Sequence, residues 1–365
     1  MLKSCAKLTV LSLAMLSHAR ADEIFDFYQN KTINLQISGA AGSGYDLYAR
    51  LLSRHLGMQI PGSPKIAPQN VPAAGGITVA NNAFNLGPND GTLLITLHFT
   101  LPLYQAMGGR GVRFDAGKFR GVGKLLSSNV VIGVSSDSKS GVIDLETARN
   151  AIATIGSTGG TSNSTIFPMM INSIAGTKFK LVRGYKGEGD IFLAMERGEL
   201  DGFGSYSYLT FKSVRPEYLT SKLFRPIVQF GLAREGDWRN VPTAIEVATN
   251  PIDAEAMRLA SIGSEIGFSY VTPPNVPSNR LNALKNAFQK MIQDREFQSD
   301  AAKSNMFLRV ASGDVVDDLI RSVLAAERES VERLTQLMAE DPASQCSEYP
   351  NSSLCGGRRN EANGQ

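Results

Sequence analysis

The chain has 365 residues, with 37 Lys plus Arg against 34 Asp plus Glu and only three histidines. Its formal charge of +3 resides in the first 21 residues, where Lys3, Lys7 and Arg20 face no acid. The remainder is balanced, which argues against nucleic acid or an anionic membrane surface as partner.

The opening MLKSCAKLTVLSLAMLSHARA joins a basic start to a short apolar run, Leu8 to Leu16, and ends on Ala19-Arg20-Ala21. This pattern predicts an export signal cleaved after Ala21 and a periplasmic destination. Cys5 lies in the basic part, so no lipid attachment is expected. No later run approaches the roughly 18 consecutive apolar residues of a membrane span. About 344 residues remain, more than one hydrophobic core usually holds, so two lobes are expected.

The first strand is predicted over Ile33, Leu35 and Ile37, ahead of Gly39, Gly42 and Gly44. A helix follows with Leu47, Leu51, Leu52 and Leu56 on one face. Such a turn exposes backbone N–H groups at a positive helix end and can hold an anion; it can equally be a plain connection. Pro72 to Gly76 break an extended run before another helix, and Leu93 to Leu97 and Asn129 to Ser136 read as buried strands. Near residue 157 the opening design recurs: a strand, the turn Ser157 to Ser162, and a helix with Ile166, Met169, Met170 and Ile174. A further strand, loop and helix end at Gly198, Asp201 starts the next strand, and RPIVQFGLA follows. Ser278 and Ser312 are placed to cap two late helices. This alternation predicts an α/β fold with mostly parallel sheets.

Beyond the signal only His55 and His98 remain, each read as structural, and no nucleophile, metal or phosphate-loop motif is present. The acids Asp190, Glu196, Glu199 and Asp201 read as solvated. No enzyme and no cofactor are expected. Cys346 and Cys355 sit close together in the tail 345–365, read as flexible, and in an oxidising compartment they are expected to pair.

Several motifs in order carry a resemblance. AAGSGYDLYARLL (Ala40 to Leu52), NVPAAGG (Asn70 to Gly76), PNDGTLLI (Pro88 to Ile95), GSTGGTS (Gly156 to Ser162), Tyr185-Lys186-Gly187, Leu193 to Asp201, and VPTAIE (Val241 to Glu246) match the pattern of the Bug family. These are the solute receptors of tripartite tricarboxylate transporters. The match runs from about residue 33 to residue 246.

The resemblance implies a type II periplasmic binding protein, two α/β lobes joined by two crossover strands that close on a carboxylate. It implies a discontinuous first lobe, 22–127 plus 232–344, and a second lobe, 128–231, with crossovers near Lys124 to Val131 and Pro226 to Ala233. The ligand set carried over is Ala41, Gly42, Ser43, Gly44, Tyr45 and Asp46 on the first turn, with Gly75 and Thr100 at the rim. The second lobe adds Ser157, Thr158, Gly160, Thr161, Ser162 and Tyr208. Asp46 is read mainly as a helix stabiliser. Ser43 stands where the family has glycine, Tyr45 replaces a small residue, and Tyr206 with Tyr208 suits a bulkier acid. Arg183 is a weaker candidate for a carboxylate. The expected partners are a small organic acid and the membrane permease subunits, with the receptor monomeric. A receptor of the same fold that feeds a sensor kinase, and an exported enzyme acting on an acid, are the alternatives.

Overall fold

The structure, a computed structural model, describes residues 23–160, 162–338 and 351–352. The export signal, Thr161, Cys346 and Cys355 lie outside the described residues.

Two mixed sheets organise the chain. In the first, β1 (Thr32–Ile37) leads to α1 (Gly44–Gln59), β2 (Lys65–Asn70), α2 (Ile77–Asn85) and β3 (Leu93–Leu97). β1 lies parallel to both β2 and β3, with Leu35 opposite Pro68 and Leu94. These strands have no exposed apolar face: Ile33, Leu35, Ile37, Leu94, Ile95 and Leu97 are all 0% exposed, because helices cover both sides. α1 buries Leu51, Leu52 and Leu56 as its spacing requires.

The chain then passes through β4 (Arg120–Leu126) of this sheet straight into β5 (Val130–Ser135) of the second. There β6 (Ile152–Ser157), α3 (Asn163–Ala175), β7 (Lys178–Arg183), α4 (Glu188–Glu196) and β8 (Gly202–Ser207) repeat the parallel design. A short helix, α5 (Tyr208–Val214), precedes β9 (Phe224–Phe230), which returns the chain toward the first sheet. There α6 (Pro251–Ile266) is followed by β10 (Phe268–Thr272), α7 (Ser278–Gln293), the two-residue β11 (Ala311–Ser312), α8 (Gly313–Leu324) and α9 (Arg328–Met338).

The strand orders are β11-β4-β10-β3-β1-β2 and β7-β6-β8-β5-β9. Parallel pairing is confined to the halves that carry the glycine turns. β10 is antiparallel to β3 and β4, β11 to β4, and β5 to β8 and β9. The sheets are therefore mixed rather than mostly parallel: β10 and β11 run against the other strands of the first sheet, and β5 runs against the other strands of the second.

The crossover is pinned by buried polar groups. Asn129 Nδ2 donates to Gln229 Oε1 at 2.7 Å and to the Ala233 carbonyl at 2.6 Å, while its N–H donates to Glu235 Oε2 at 2.8 Å. Arg309 forms an ion pair with Glu235. α9 does not stay with the first sheet: it packs on α6 and also on α3 of the second, where Ser173 Oγ donates to the Leu337 carbonyl at 2.8 Å.

Candidate functional site

Both glycine turns leave the carboxyl ends of parallel strands, where side chains stop and backbone can approach a ligand. In the first, Ser43 caps α1 with its side chain toward the Asp46 N–H at 3.4 Å. Gly42 sits at φ +79°, and its N–H donates to Asp46 Oδ2 at 2.8 Å. Asp46 Oδ1 accepts from Arg50 Nε at 2.8 Å and from Asn70 Nδ2 at 2.9 Å, and Asn70 reaches on to the Gly39 carbonyl. The Ser43 N–H closes the turn onto the Ala40 carbonyl at 3.1 Å. Gly44 is squeezed by close approach: a Cβ there would lie 2.7 Å from Phe268 Cζ and 3.4 Å from Thr210 Cγ2.

Tyr45 points inward. Its ring stacks on His98 at 5.2 Å and meets Phe268 at 4.5 Å, and its hydroxyl accepts the Phe99 N–H at 3.0 Å. Burial pushes this phenol well above its ordinary range, so it stays neutral. Burial also depresses His98 to about 4, so the imidazole is neutral too.

The second turn is a knot of hydroxyls. Ser157 and Thr165 share a short hydrogen bond, Ser162 Oγ donates to the Gly159 carbonyl at 2.8 Å, and Ser162 and Ser164 hydroxyls meet at 2.7 Å. The Thr158 N–H donates to Ser164 Oγ at 3.2 Å, and Asn163 Nδ2 to Ser205 Oγ at 2.6 Å.

The two sheets bring these turns face to face. A Cβ on Gly159 would lie 3.8 Å from the Gly75 nitrogen, and one on Gly187 would lie 3.0 Å from Ala40 Cβ. Between them is a cavity of about 120 Å³. That is close to the ~150 Å³ that holds one benzene-sized molecule.

Of the residues singled out from the sequence, Ser43, Gly44, Tyr45, Gly75, Thr158 and Ser162 line this cavity. The others stand elsewhere. Ala41 and Gly42 are exposed and do not line the cavity. Asp46 is only 3% exposed and is consumed by Gly42, Arg50 and Asn70, so it shapes the turn and does not face a ligand. Ser157 is fully buried behind the turn on Thr165, and Thr100 shares a 2.9 Å hydrogen bond with His98 Nδ1 away from the wall. Gly160 has open space around it, and Gly159 makes the approach instead.

Tyr208 is turned away as well. β8 ends at Ser207, so Tyr208 opens a helix and its ring packs on Trp238, with its hydroxyl donating to Asp237 Oδ2 at 2.8 Å. Tyr206, still on the strand, lines the cavity. Arg183 lies on the exposed end of β7, its guanidinium 3.6 Å from Met169 Sδ.

The sequence reading missed two charged groups on the wall, Lys186 and Glu188. Glu188 opens α4 from the second sheet, yet its carboxyl reaches the Gly44 N–H of the first. Burial pushes it up to about 7, opposed by that N–H. Its Oε2 is sealed and has no hydrogen-bond partner. The only signal in the sequence is a lone acid between Gly187 and Gly189 directly after a strand and loop. Among the described residues no cluster of metal-ligand type occurs, and no helix is long and apolar enough to cross a membrane.

No family model and no curated protein matches the sequence. Solved structures do. A TctC solute-binding protein from Polaromonas is 18% identical, covers 84% of this chain and 98% of its own, and has a TM-score of 0.56. The periplasmic binding protein BugD is 15% identical over 85% of this chain and 98% of its own, with a TM-score of 0.64. MatC from Rhodopseudomonas palustris, solved with bound malate, is 17% identical over 84% and 99%, with a TM-score of 0.61. The fold is that of an α/β, two-lobe periplasmic binding protein, and binding proteins are among the solved structures it resembles.

Proposed function

We propose that this chain is an exported solute receptor of the Bug family, which captures a small organic acid between its lobes and delivers it to a permease of the tripartite tricarboxylate type. One observation carries the reading: two glycine turns, each at the carboxyl end of parallel strands, close from opposite sheets on a single cavity. Likeness of fold to TctC-type and malate-bound proteins supports it. The lobes divide near residues 127 and 231, and the wall residues Ser43, Gly44, Tyr45, Gly75, Thr158 and Ser162 form the binding surface with Lys186 and Tyr206. The protein acts in the periplasm as a binding protein, not as an enzyme.

A thermal-shift screen over mono- and dicarboxylates, aromatic acids and amino acids tests this. A ligand at a hundred times its Kd stabilises the folded form by about 2.7 kcal/mol, a shift of several degrees. A folded receptor that no small acid shifts, with calorimetry also silent, refutes the reading.

A further inference from the structure

The anion-binding turn expected from the sequence is already engaged by the protein itself. The Gly42 N–H is held by Asp46, the Ser43 N–H by Ala40, and the Gly44 N–H faces the carboxyl of Glu188. A carboxylate from the second sheet thus stands where a ligand carboxylate was expected to sit.

Glu188 is not a solvated surface acid. The residue as a whole is half-buried, but its Oε2 is shut off from solvent and lacks any partner. The groups around it offer no positive charge: Tyr45 and Tyr206 present neutral phenols and His98 a neutral ring. Lys186 is the one cation on the cavity wall, and no ion pair joins it to Glu188 among the described residues. An open carboxylate oxygen in a sealed site needs a donor, since an unpaired buried charge costs several kcal/mol. A dicarboxylate would instead bring two negative charges to a cleft holding one cation and one anion.

We propose that Glu188 sets the ligand class: the cleft takes an organic acid that also bears an ammonium or comparable N–H donor, which Glu188 Oε2 accepts, while the ligand carboxylate lies toward Lys186. This rests on the receptor reading and narrows it to zwitterions. Glu188 acts as a specificity-determining residue, excluding simple dianions by repulsion.

Matched pairs differing only in the amino group test it by calorimetry at pH 8: L-aspartate against succinate, L-glutamate against glutarate, and L-phenylalanine against 3-phenylpropionate. At least one amino-bearing member binds tenfold or more tighter than its partner. Glu188→Gln cuts that ratio to under threefold, and Lys186→Met weakens both members of a pair together. Circular dichroism confirms that each variant is folded; if Glu188→Gln is not, the ratio is read on Glu188→Asp, which retains the charge and preserves the preference. The ratio in the parent protein also shrinks at pH 5.5, where Glu188 carries a proton. If succinate, glutarate or 3-phenylpropionate binds as tightly as its amino partner, or if folded Glu188→Gln keeps the full preference, the proposal is wrong while the receptor reading stands. If no member of any pair binds, and the wider screen is also silent, both fall.

Discussion

Asp46, read mainly as a stabiliser from its place at a helix start, holds more than the helix. A carboxylate there is favoured by the helix dipole. Here it also clamps the Gly42 N–H, Arg50 and Asn70, so it fixes the whole turn. Asp46→Ala strips the acceptor from three donors at once and is expected to cost about 2–4 kcal/mol, read as a fall in the urea midpoint. Asp46→Asn keeps part of the network and should cost less. Equal, near-zero effects from both would show that the clamp contributes nothing. Glu188 has its own signature in pH. Its folded value of about 7 lies above the ordinary 4.5, so the unfolded chain releases the proton first. The stability it contributes is complete below about 4.5 and is lost as pH rises through 7. Glu188→Gln is therefore near neutral at pH 5 and stabilising at pH 8, by at most about 3 kcal/mol. A variant equally stable relative to the parent at both pH values would mean the carboxyl is not held out of water.

Among the elements, the pairing of α3 with β8 decides where the second turn sits. Pro168 lies inside α3 and has no N–H, so the Ser164 carbonyl one turn back lacks its helical donor. Gly204 of β8 lets the strand backbone come up to that carbonyl: a Cβ there would lie 2.0 Å from Ser164 O. The backbone of α3 must move if a methyl is added. Gly204→Ala is expected to lower stability by about 2–3 kcal/mol. It should also weaken ligand binding, because Ser162, Asn163 and Ser164 ride on the displaced helix start and all line the cavity. Unchanged affinity with lowered stability would separate the packing from the site.

For the whole molecule, export and architecture are tested apart from the ligand. Intact mass of periplasmic protein is expected to match a chain beginning at Asp22, and a chain still carrying Met1 would contradict the signal reading. Within the folded protein, α9 grips both α6 and α3, so this helix straps one sheet's helices to the other's. The sequence reading placed all of residues 232–344 with the first lobe. Amphipathic spacing predicts that a helix has a buried face; it does not say which partner covers it.

The same division runs through the rest. Local chemistry was enough for the β–turn–helix units, the glycine turns and the helix cap at Ser312, because each depends on neighbours a few residues away; Ser278, expected as a cap, is instead the first residue of α7 behind Pro277, with no capping hydrogen bond from a side chain there. Length pointed to two lobes, and the resemblance carried by the ordered motifs implied the two-lobe binding-protein fold. The wall of the site was a different matter. Tyr206 faces the cavity and Tyr208 does not, because a strand becomes a helix between them. Gly42 and Ser43 spend their N–H groups inside the turn, through Asp46 and Ala40. Glu188 is 144 residues from Gly44 in the chain, and only the closing of one sheet's loops over the other's turn brings its carboxyl to that N–H. Charge, burial and open valence at one point in space are sums over both lobes, and no local pattern in the chain encodes them.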